Sequence, residues 1–254
     1  MDLESFNTSR ESLVPLLALN NKSNKNIIIF PTDKEAIEFS TDFSNLNKNI
    51  FHLPSWDTLS YDSFVPSFDI QGKRLEIAHL LLKNNNYNIA TSIKAISQRI
   101  YFEELEICKI ELNEEIDFDS LIENLIHLKY QRKDRVESKG SFAVRGGQLD
   151  VYPINYDLPL RVIFDGDLVN EIKTFDTISQ RSVSEKKDIL IVPATELFQI
   201  KHSDILNLSS NKKENLDDYE LFQYSQNLDL EKCLLDLTSN VSLHIVDKNI
   251  VDNC

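Results

Sequence analysis

Residues 140–176 read GSFAVRGGQLDVYPINYDLPLRVIFDGDLVNEIKTFD, and this stretch holds four of the chain's five glycines. Glycine is typical of positions where the backbone turns, bulges or approaches another group closely. Between these glycines apolar and polar residues alternate, as they do in strands with one buried face. The stretch therefore predicts a compact antiparallel sheet with tight turns, and we expect the working surface of the protein to lie on it.

Three local features of this stretch predict its geometry. The apolar positions change parity across Gly146-Gly147, which favours a β-bulge there. Asp165-Gly166 follows three alternating apolar residues and predicts a hairpin turn, after which Leu168–Phe175 forms the return strand. The segment FDTISQRS, with Asp176, Gln180 and Arg181, predicts a strand-to-turn connection held by side-chain hydrogen bonds.

Upstream of this stretch, short apolar runs alternate with helical periodicity. This order is typical of a parallel α/β layer. Residues 189–193 (ILIVP) resemble the first of these runs and predict a return to the layer, to which 241–246 could add a last strand. The predicted strands lie at 27–31, 49–53 and 88–91, and the predicted helices begin at Asp33, at about residue 70 and at about residue 93.

The predicted fold class is α/β, a parallel-sheet layer interrupted by an α+β domain that contains the antiparallel sheet. A strand over 106–112 and a helix over 117–128 open this inserted domain. We place the first part of the layer at residues 1–102, the inserted domain at 103–197 and the return to the layer at 198–254.

Composition argues against several classes of function. The net charge of −14 opposes binding of nucleic acid over the whole surface. The three cysteines and five histidines are too scattered for a disulfide framework or a zinc site, so we expect no metal. The first residues lack the basic region of a signal peptide, and no apolar run reaches membrane-spanning length, so we expect a cytoplasmic protein.

The glycines also argue against nucleotide chemistry. Only Gly72 lies outside the cluster, so neither a GxxxxGK[ST] loop nor a GxGxxG loop is present. No Ser/His/Asp or Cys/His set stands out as a nucleophile with its base. We therefore expect no cofactor and no catalytic residue.

Arg145 and Arg161 are the first candidate site residues. Each alternates against the apolar residues of its strand, so both guanidinium groups could emerge on one sheet face if the strands are neighbours. Arginine suits such a recognition surface because its planar fork binds carboxylates in a bidentate manner. The alternative is that each arginine pairs with Asp150 or Asp165 and contributes little.

The loop over residues 54–68 is a second candidate, because its aromatic side chains could stack on nucleic-acid bases. Aromatic residues of this kind more often fill a crevice at the edge of a sheet. The aromatic residues of this loop are Trp56, Tyr61, Phe64 and Phe68.

Several of these segments resemble one protein family. LPSWDTLSYDSFVPSFDIQGKRLEIAHLL resembles the LP-W-E-T-LPYD-FSP segment of bacterial transcription-repair coupling factors. GSFAVRGGQLDVYP, LPLRVIFDGDLVNEIKTFDTISQRS and ILIVPATE resemble the domain that follows it in that family, in the same order. The resemblance runs from about Ile27 to Leu197, and it extends to the excision-repair protein UvrB with its domains 1a, 2 and 1b.

The resemblance implies a non-catalytic module that docks onto the repair ATPase UvrA at lesions where RNA polymerase has stalled. The family's UvrA-contacting arginines correspond to Arg145 and Arg161, and Phe164 corresponds to the first aromatic residue of its RxxFF motif. Asp165 replaces the second aromatic residue, which is also a contact in the family, and this lowers the expected affinity. The family's module has lost its nucleotide loop, and residues 20–26 (NNKSNKN) agree.

In that family, RNA polymerase and double-stranded DNA are bound by domains that have no counterpart in this sequence. The chain is therefore expected to be a fragment, a truncated relative or a stand-alone module. Two alternative functions stay open at this point, namely a nucleic-acid-binding protein that uses the aromatic loop and a degenerate nucleotide-binding enzyme.

Overall fold

The computed structural model describes residues 2–6, 25–45, 49–58, 64–83, 86–98, 105–199 and 241–246. The chain divides into two compact units that are interleaved in sequence. The first unit comprises Met1–Pro66, Ile77–Glu103 and Ile200–Cys254, and the second comprises Ser67–Glu76 and Glu104–Gln199. Most of the predicted segment 198–254 lies outside the described residues.

Thirteen strands and four α-helices make up the described residues. The strands are β1 (Asp2–Phe6), β2 (Lys25–Phe30), β3 (Phe51–Leu53), β4 (Tyr87–Ser92), β5 (Cys108–Glu111), β6 (Gln131–Arg132), β7 (Ser141–Arg145), β8 (Gln148–Tyr152), β9 (Leu160–Asp165), β10 (Leu168–Phe175), β11 (Ser182–Glu185), β12 (Asp188–Ile191) and β13 (Ser242–Val246). The helices are α1 (Asp33–Ser44), α2 (Phe68–Lys83), α3 (Ile93–Ser97) and α4 (Phe118–His127), and a 3₁₀ turn follows at Glu196–Gln199. Among these helices, none has the length and apolar character that crossing a membrane requires.

The first unit contains the predicted parallel sheet. Its five strands have the order β1-β13-β2-β4-β3, and every neighbouring pair is parallel. The predicted last strand is confirmed, since β13 lies between β1 and β2. Strand β1 was not predicted, because its sequence DLESF has no continuous apolar run.

Helix α1 begins at Asp33, as the sequence predicted, and the residue before it forms the cap. Thr32 is the N-cap, and its hydroxyl accepts a hydrogen bond from the amide of Glu35. Asp33 instead accepts hydrogen bonds from the amide and hydroxyl of Ser55. Ile37 of α1 is 48% exposed. The buried side chains of α1 are Ala36, Phe39 and Phe43.

The second unit is built on a six-stranded sheet with the order β11-β10-β9-β8-β7-β6. Its neighbours are antiparallel, except that β6 and β7 run parallel. Helix α4 and the two-stranded sheet of β5 and β12 pack against one face of it. Buried side chains of this core include Leu121, Leu125, Phe142, Leu149, Val151, Leu160, Val162, Ile189 and Ile191.

The segment ILIVP (189–193) forms a strand as predicted, but the prediction that this strand joins the parallel sheet was wrong. Asp188–Ile191 pairs antiparallel with Cys108–Glu111 inside the second unit and does not join the parallel layer. Ile189 and Ile191 are almost completely buried in the core of the second unit. A continuous apolar run shows that a strand is buried, but its periodicity does not show which sheet it joins.

The predicted bulge at Gly146-Gly147 is a hairpin turn. Arg145 pairs with Gln148, so the two glycines form a two-residue loop between β7 and β8, with Gly146 at a φ of 59°. Across a two-residue loop, an even-numbered residue of one strand faces an odd-numbered residue of the other, as Val144 faces Leu149. The apolar positions therefore change parity at the loop, just as they would at a bulge. The predicted hairpin at Asp165-Gly166 is confirmed. An irregularity in register does occur, but it lies between Val169 and Glu171.

Residues 67–76, which the sequence placed in segment 1–102, group with the second unit through close backbone and buried polar contacts. A Cβ atom added to Gly72 would lie 2.4 Å from the carbonyl oxygen of Ile154. The side-chain oxygen of Gln71 accepts a hydrogen bond from the amide of Glu196 at 2.9 Å. Arg74 forms a buried ion pair with Glu196, with 2.8 Å between Nε and Oε1.

Gly72→Ala should destabilise the second unit, although glycine-to-alanine changes inside helices usually stabilise them by about 1 kcal/mol. The added methyl group has no space beside Ile154, so we expect the free energy of unfolding to fall by about 2 kcal/mol or more. Chemical denaturation measures this change. Lys73→Ala, at an exposed position of the same helix, is the control and should have little effect. A Gly72→Ala variant as stable as the wild type would contradict the close approach.

Candidate partner-binding face

The face of the six-stranded sheet that points away from the core carries both predicted arginines. Strand β8 lies between their strands, so they are two strands apart and not on adjacent strands. We call this surface the arginine face and define it by two rows of residues in register. The first row is Arg145, Gln148, Ile163 and Glu171, and the second is Ala143, Asp150, Arg161 and Lys173.

Arg161 is held in one orientation by a bidentate ion pair. Its Nε and Nη2 atoms donate to the two carboxylate oxygens of Asp150 at 2.7 and 2.8 Å. Gln148 donates to the same carboxylate at 3.0 Å. The guanidinium also lies over the ring of Phe175, with 4.4 Å from Cζ to the ring centroid. The hydrogen bond to Asp150 raises the pKa of Arg161 above its ordinary value, so the residue stays charged.

The alternative interpretation is thus correct in part, because Arg161 does pair with Asp150. This pairing leaves donors for other partners: a guanidinium has five N–H groups, Asp150 takes two of them at short distance, and two others make only long contacts of 3.4 Å to Gln180. The side chains of Arg161 and Asp150 are 16% and 7% exposed, so the pair is ordered and partly desolvated. Asp165, the other predicted acidic partner, is an exposed residue at the end of β9.

Arg145 is the more accessible of the two arginines. It is the last residue of β7 and is exposed beside the Gly146-Gly147 turn. Its Nη2 atom donates to the backbone carbonyl of Asp134 at 2.9 Å. This bond orients the guanidinium toward the β6–β7 edge of the sheet without neutralising its charge.

The turn after β10 lies beside Arg161 and is held as the sequence predicted. The carboxylate of Asp176 accepts hydrogen bonds from the amide and hydroxyl of Ser179, each at 2.7 Å. These bonds lower the pKa of Asp176. Arg161 makes longer contacts of 3.4 Å to the carbonyl and side-chain oxygens of Gln180. The turn therefore has a fixed conformation next to the ion pair.

Arg135 is a third arginine at this site, and the sequence analysis missed it. Its Nη2 atom donates to the carbonyl of Thr177 at 2.9 Å, so it links the segment after β6 to the same turn. The side chain is 44% exposed. Four basic residues between Lys129 and Arg135 were the available signal in the sequence.

Phe164 lies on the opposite face of β9 from Arg161. It is 7% exposed and belongs to the core. Its ring packs edge-on against Phe118, with 4.8 Å between centroids and 69° between planes. The structure therefore brings Arg145 and Arg161 together on one surface and places Phe164 beneath that surface.

The aromatic loop does not offer Trp56 for stacking on bases, because this side chain is only 4% exposed. The Trp56 amide donates to the side chain of Gln98 at 2.8 Å, and its carbonyl accepts from Lys94 at 3.0 Å. Trp56 thus fills a crevice, as the simpler interpretation held. Phe64 and Phe68 are 59% and 43% exposed, and Tyr61 lies outside the described residues.

Neither a metal centre nor a reactive thiol is evident in the part of the chain that the structure describes. No group of three or more His, Cys, Asp or Glu side chains there is placed to hold an ion. Cys108 is buried, which raises its pKa to about 11 and keeps the thiol protonated. Of residues 20–26, the position that corresponds to the lost nucleotide loop, only Lys25 and Asn26 are described, and they begin β2.

The segment that carries the arginine face is similar to a known domain family. Residues 108–197 match the family model described as the UvrB interaction domain. Transcription-repair-coupling factor from Myxococcus xanthus is 32% identical over 159 residues, covering 61% of this chain and 13% of the relative. The Bacillus subtilis factor is 26% identical over 271 residues, covering 91% and 23%. UvrABC system protein B from Thermosipho africanus is 22% identical over 215 residues, covering 78% and 32%.

The chain thus spans between 13% and 32% of the length of these three relatives. The matched domain contains both candidate arginines, the Asp150–Arg161 pair and the Asp176 turn. Residues 108–197 are thus similar to the UvrB interaction domain, and longer stretches of the chain are similar to transcription-repair-coupling factors and to UvrABC system protein B.

Proposed function

We propose that this chain binds UvrA through the arginine face and recruits the nucleotide-excision-repair machinery to damaged DNA where RNA polymerase has stalled. The observation that carries the proposal is the position of Arg145 and Arg161 on one rigid sheet face inside the matched domain. The resemblance assigns UvrA contacts to these two residues, and both are aimed away from the core.

The two arginines have different parts in this proposal. Arg145 offers a charge whose side-chain contact is to a backbone carbonyl, so a carboxylate of the partner can pair with it at little cost. Arg161 reaches the partner already oriented by Asp150, so little side-chain entropy is lost when its remaining N–H groups donate across the interface. A partner surface with acceptors spaced to match both groups fits this arrangement.

The chain acts in this proposal as a non-catalytic cytoplasmic adaptor. In the full-length family, other domains contact RNA polymerase and double-stranded DNA. We therefore propose UvrA alone as the direct partner of this chain. A nucleic-acid-binding role for the aromatic loop is weakened by the burial of Trp56.

Arg145→Glu should weaken UvrA binding without unfolding the domain, because Arg145 is exposed. Isothermal titration calorimetry with UvrA from the same organism should show a loss of about 2 kcal/mol of binding free energy. Lys109→Glu makes the same change in charge at a side chain 56% exposed on β5, on the other side of the core, and should bind normally. Equal affinity of Arg145→Glu and the wild type would exclude this residue from the interface.

A more conservative substitution is needed at Arg161. Arg161→Glu would place a second carboxylate against the buried Asp150 and would destabilise the domain itself. Arg161→Lys keeps the charge and removes the bidentate fork, so we expect a weaker but measurable loss of affinity in the same titration. Circular dichroism then checks that the domain is folded.

Phe164→Leu should show whether Phe164 stabilises the domain from within the core or contacts UvrA directly. Phe164 packs in the core, so the substitution should lower the free energy of unfolding by about 1–2 kcal/mol. UvrA affinity should stay within about twofold of the wild type, since a leucine preserves most of the packing beneath the face. Thermal unfolding and calorimetry on the same preparation measure both quantities. A large loss of affinity in a variant of normal stability would instead make Phe164 a direct contact.

A further inference from the structure

Only part of the arginine face is open. Ala143 is 3% exposed because it packs in a small apolar cluster with Val136 and Phe175. Tyr152 packs against the same cluster. The segment after β6 therefore covers the second row of the face at β7, and the first row is the part that remains open to a partner.

Ile163 occupies the centre of this open row. It pairs with Gln148 on β8 and with Glu171 on β10, and Arg145 lies one strand beyond Gln148 in the same row. Strand spacing puts Arg145 roughly 10 Å from Ile163, and Arg161 is about 7 Å away along β9. The side chain is half-buried, whereas the apolar residues on either side of it in β9 are buried in the core.

Of the charged residues around Ile163 on this face, Arg145 is the one that does not pair with an opposite charge of the face. Glu171 is paired with Lys173 at 2.6 Å, and Asp150 is paired with Arg161. These two pairs nearly cancel their own charges close to the sheet. Arg145 donates to a neutral carbonyl, so its charge is the one that the two rows of the face leave uncompensated, and it gives the arginine face its net positive charge.

We infer that Ile163 is the apolar anchor of the partner-binding face and that it inserts into an apolar depression of UvrA with a carboxylate placed for Arg145. This inference rests on the proposed function and deepens it. A β-branched residue on a strand hydrogen-bonded on both sides has little rotamer freedom to lose on binding, as an interface anchor requires. An apolar centre beside arginine is also the usual composition of an energetic hot spot.

The test is calorimetric titration of the full chain with UvrA, using Ile163→Asp and Ile163→Thr. Ile163→Asp puts a charge into the apolar depression and should weaken binding about tenfold or more. Ile163→Thr keeps the β-branched shape and the strand preference while reducing the apolar surface, and it should weaken binding severalfold. Ile126→Asp is the matched control, because Ile126 is 53% exposed on helix α4 and the core separates that helix from the arginine face.

The outcomes distinguish this inference from the proposed function. Loss of affinity in both Ile163 variants, with normal binding by Ile126→Asp, is the expected result. Normal binding by folded Ile163→Thr and Ile163→Asp, together with loss in Arg145→Glu, would overturn the anchor and leave UvrA binding intact. If Ile163→Asp does not fold, the affinity of Ile163→Thr decides: severalfold weaker binding supports the anchor, and normal binding overturns it. A wild-type chain that is folded and does not bind UvrA would overturn both.

Discussion

The register of the six-stranded sheet is the constraint on which both the core and the candidate site depend. Two-residue hairpins at Gly146-Gly147 and after Asp165 set the registers of β7 with β8 and of β9 with β10, and the pairing of β8 with β9 joins the two hairpins into one sheet. Phe142, Leu149 and Val162 then share the core face, and Arg145 and Arg161 share the other. A slip of one residue would bury the arginines and expose the apolar set, so the register that forms the core also forms the candidate face.

The Asp150–Arg161 pair shows how this constraint also restricts variation at the site. Asp150 is 5% exposed, and its carboxylate is satisfied by Arg161 and Gln148 on its own face of the sheet. Removing the guanidinium would leave a buried charge without its main partner, which costs more than the pair contributes. Arg161 therefore contributes to stability as well as to the proposed recognition, whereas Arg145 can change with little effect on the fold. For this reason the two arginines cannot be tested with the same substitution.

The sequence was sufficient where local periodicity determines the structure. The alternation of Leu160, Val162 and Phe164 assigned both faces of β9, and the hairpin at Asp165-Gly166 followed from turn chemistry. Contacts between residues distant in sequence were not accessible in this way. The bond from Arg135 to Thr177 joins residues 42 positions apart, and Gly72 fits against Ile154 from another segment of the chain. No local pattern around Arg135 or Gly72 encodes those partners, so the contact of Arg135 with the turn and the grouping of residues 67–76 required the structure.

The net charge of the chain bears on how such a face would work. At −14 the protein as a whole repels an acidic partner at long range, although its arginine face attracts one at contact. At physiological salt the Debye length is about 8 Å, so the repulsion is screened and only groups close to the interface interact strongly. In the proposed interface, affinity must then come from short-range contacts of the oriented guanidinium groups and of the apolar surface between them. The affinity of such an interface depends mainly on a slow dissociation rate. Rigid, desolvated contacts form only after the two proteins have met, so they slow dissociation and do not speed association.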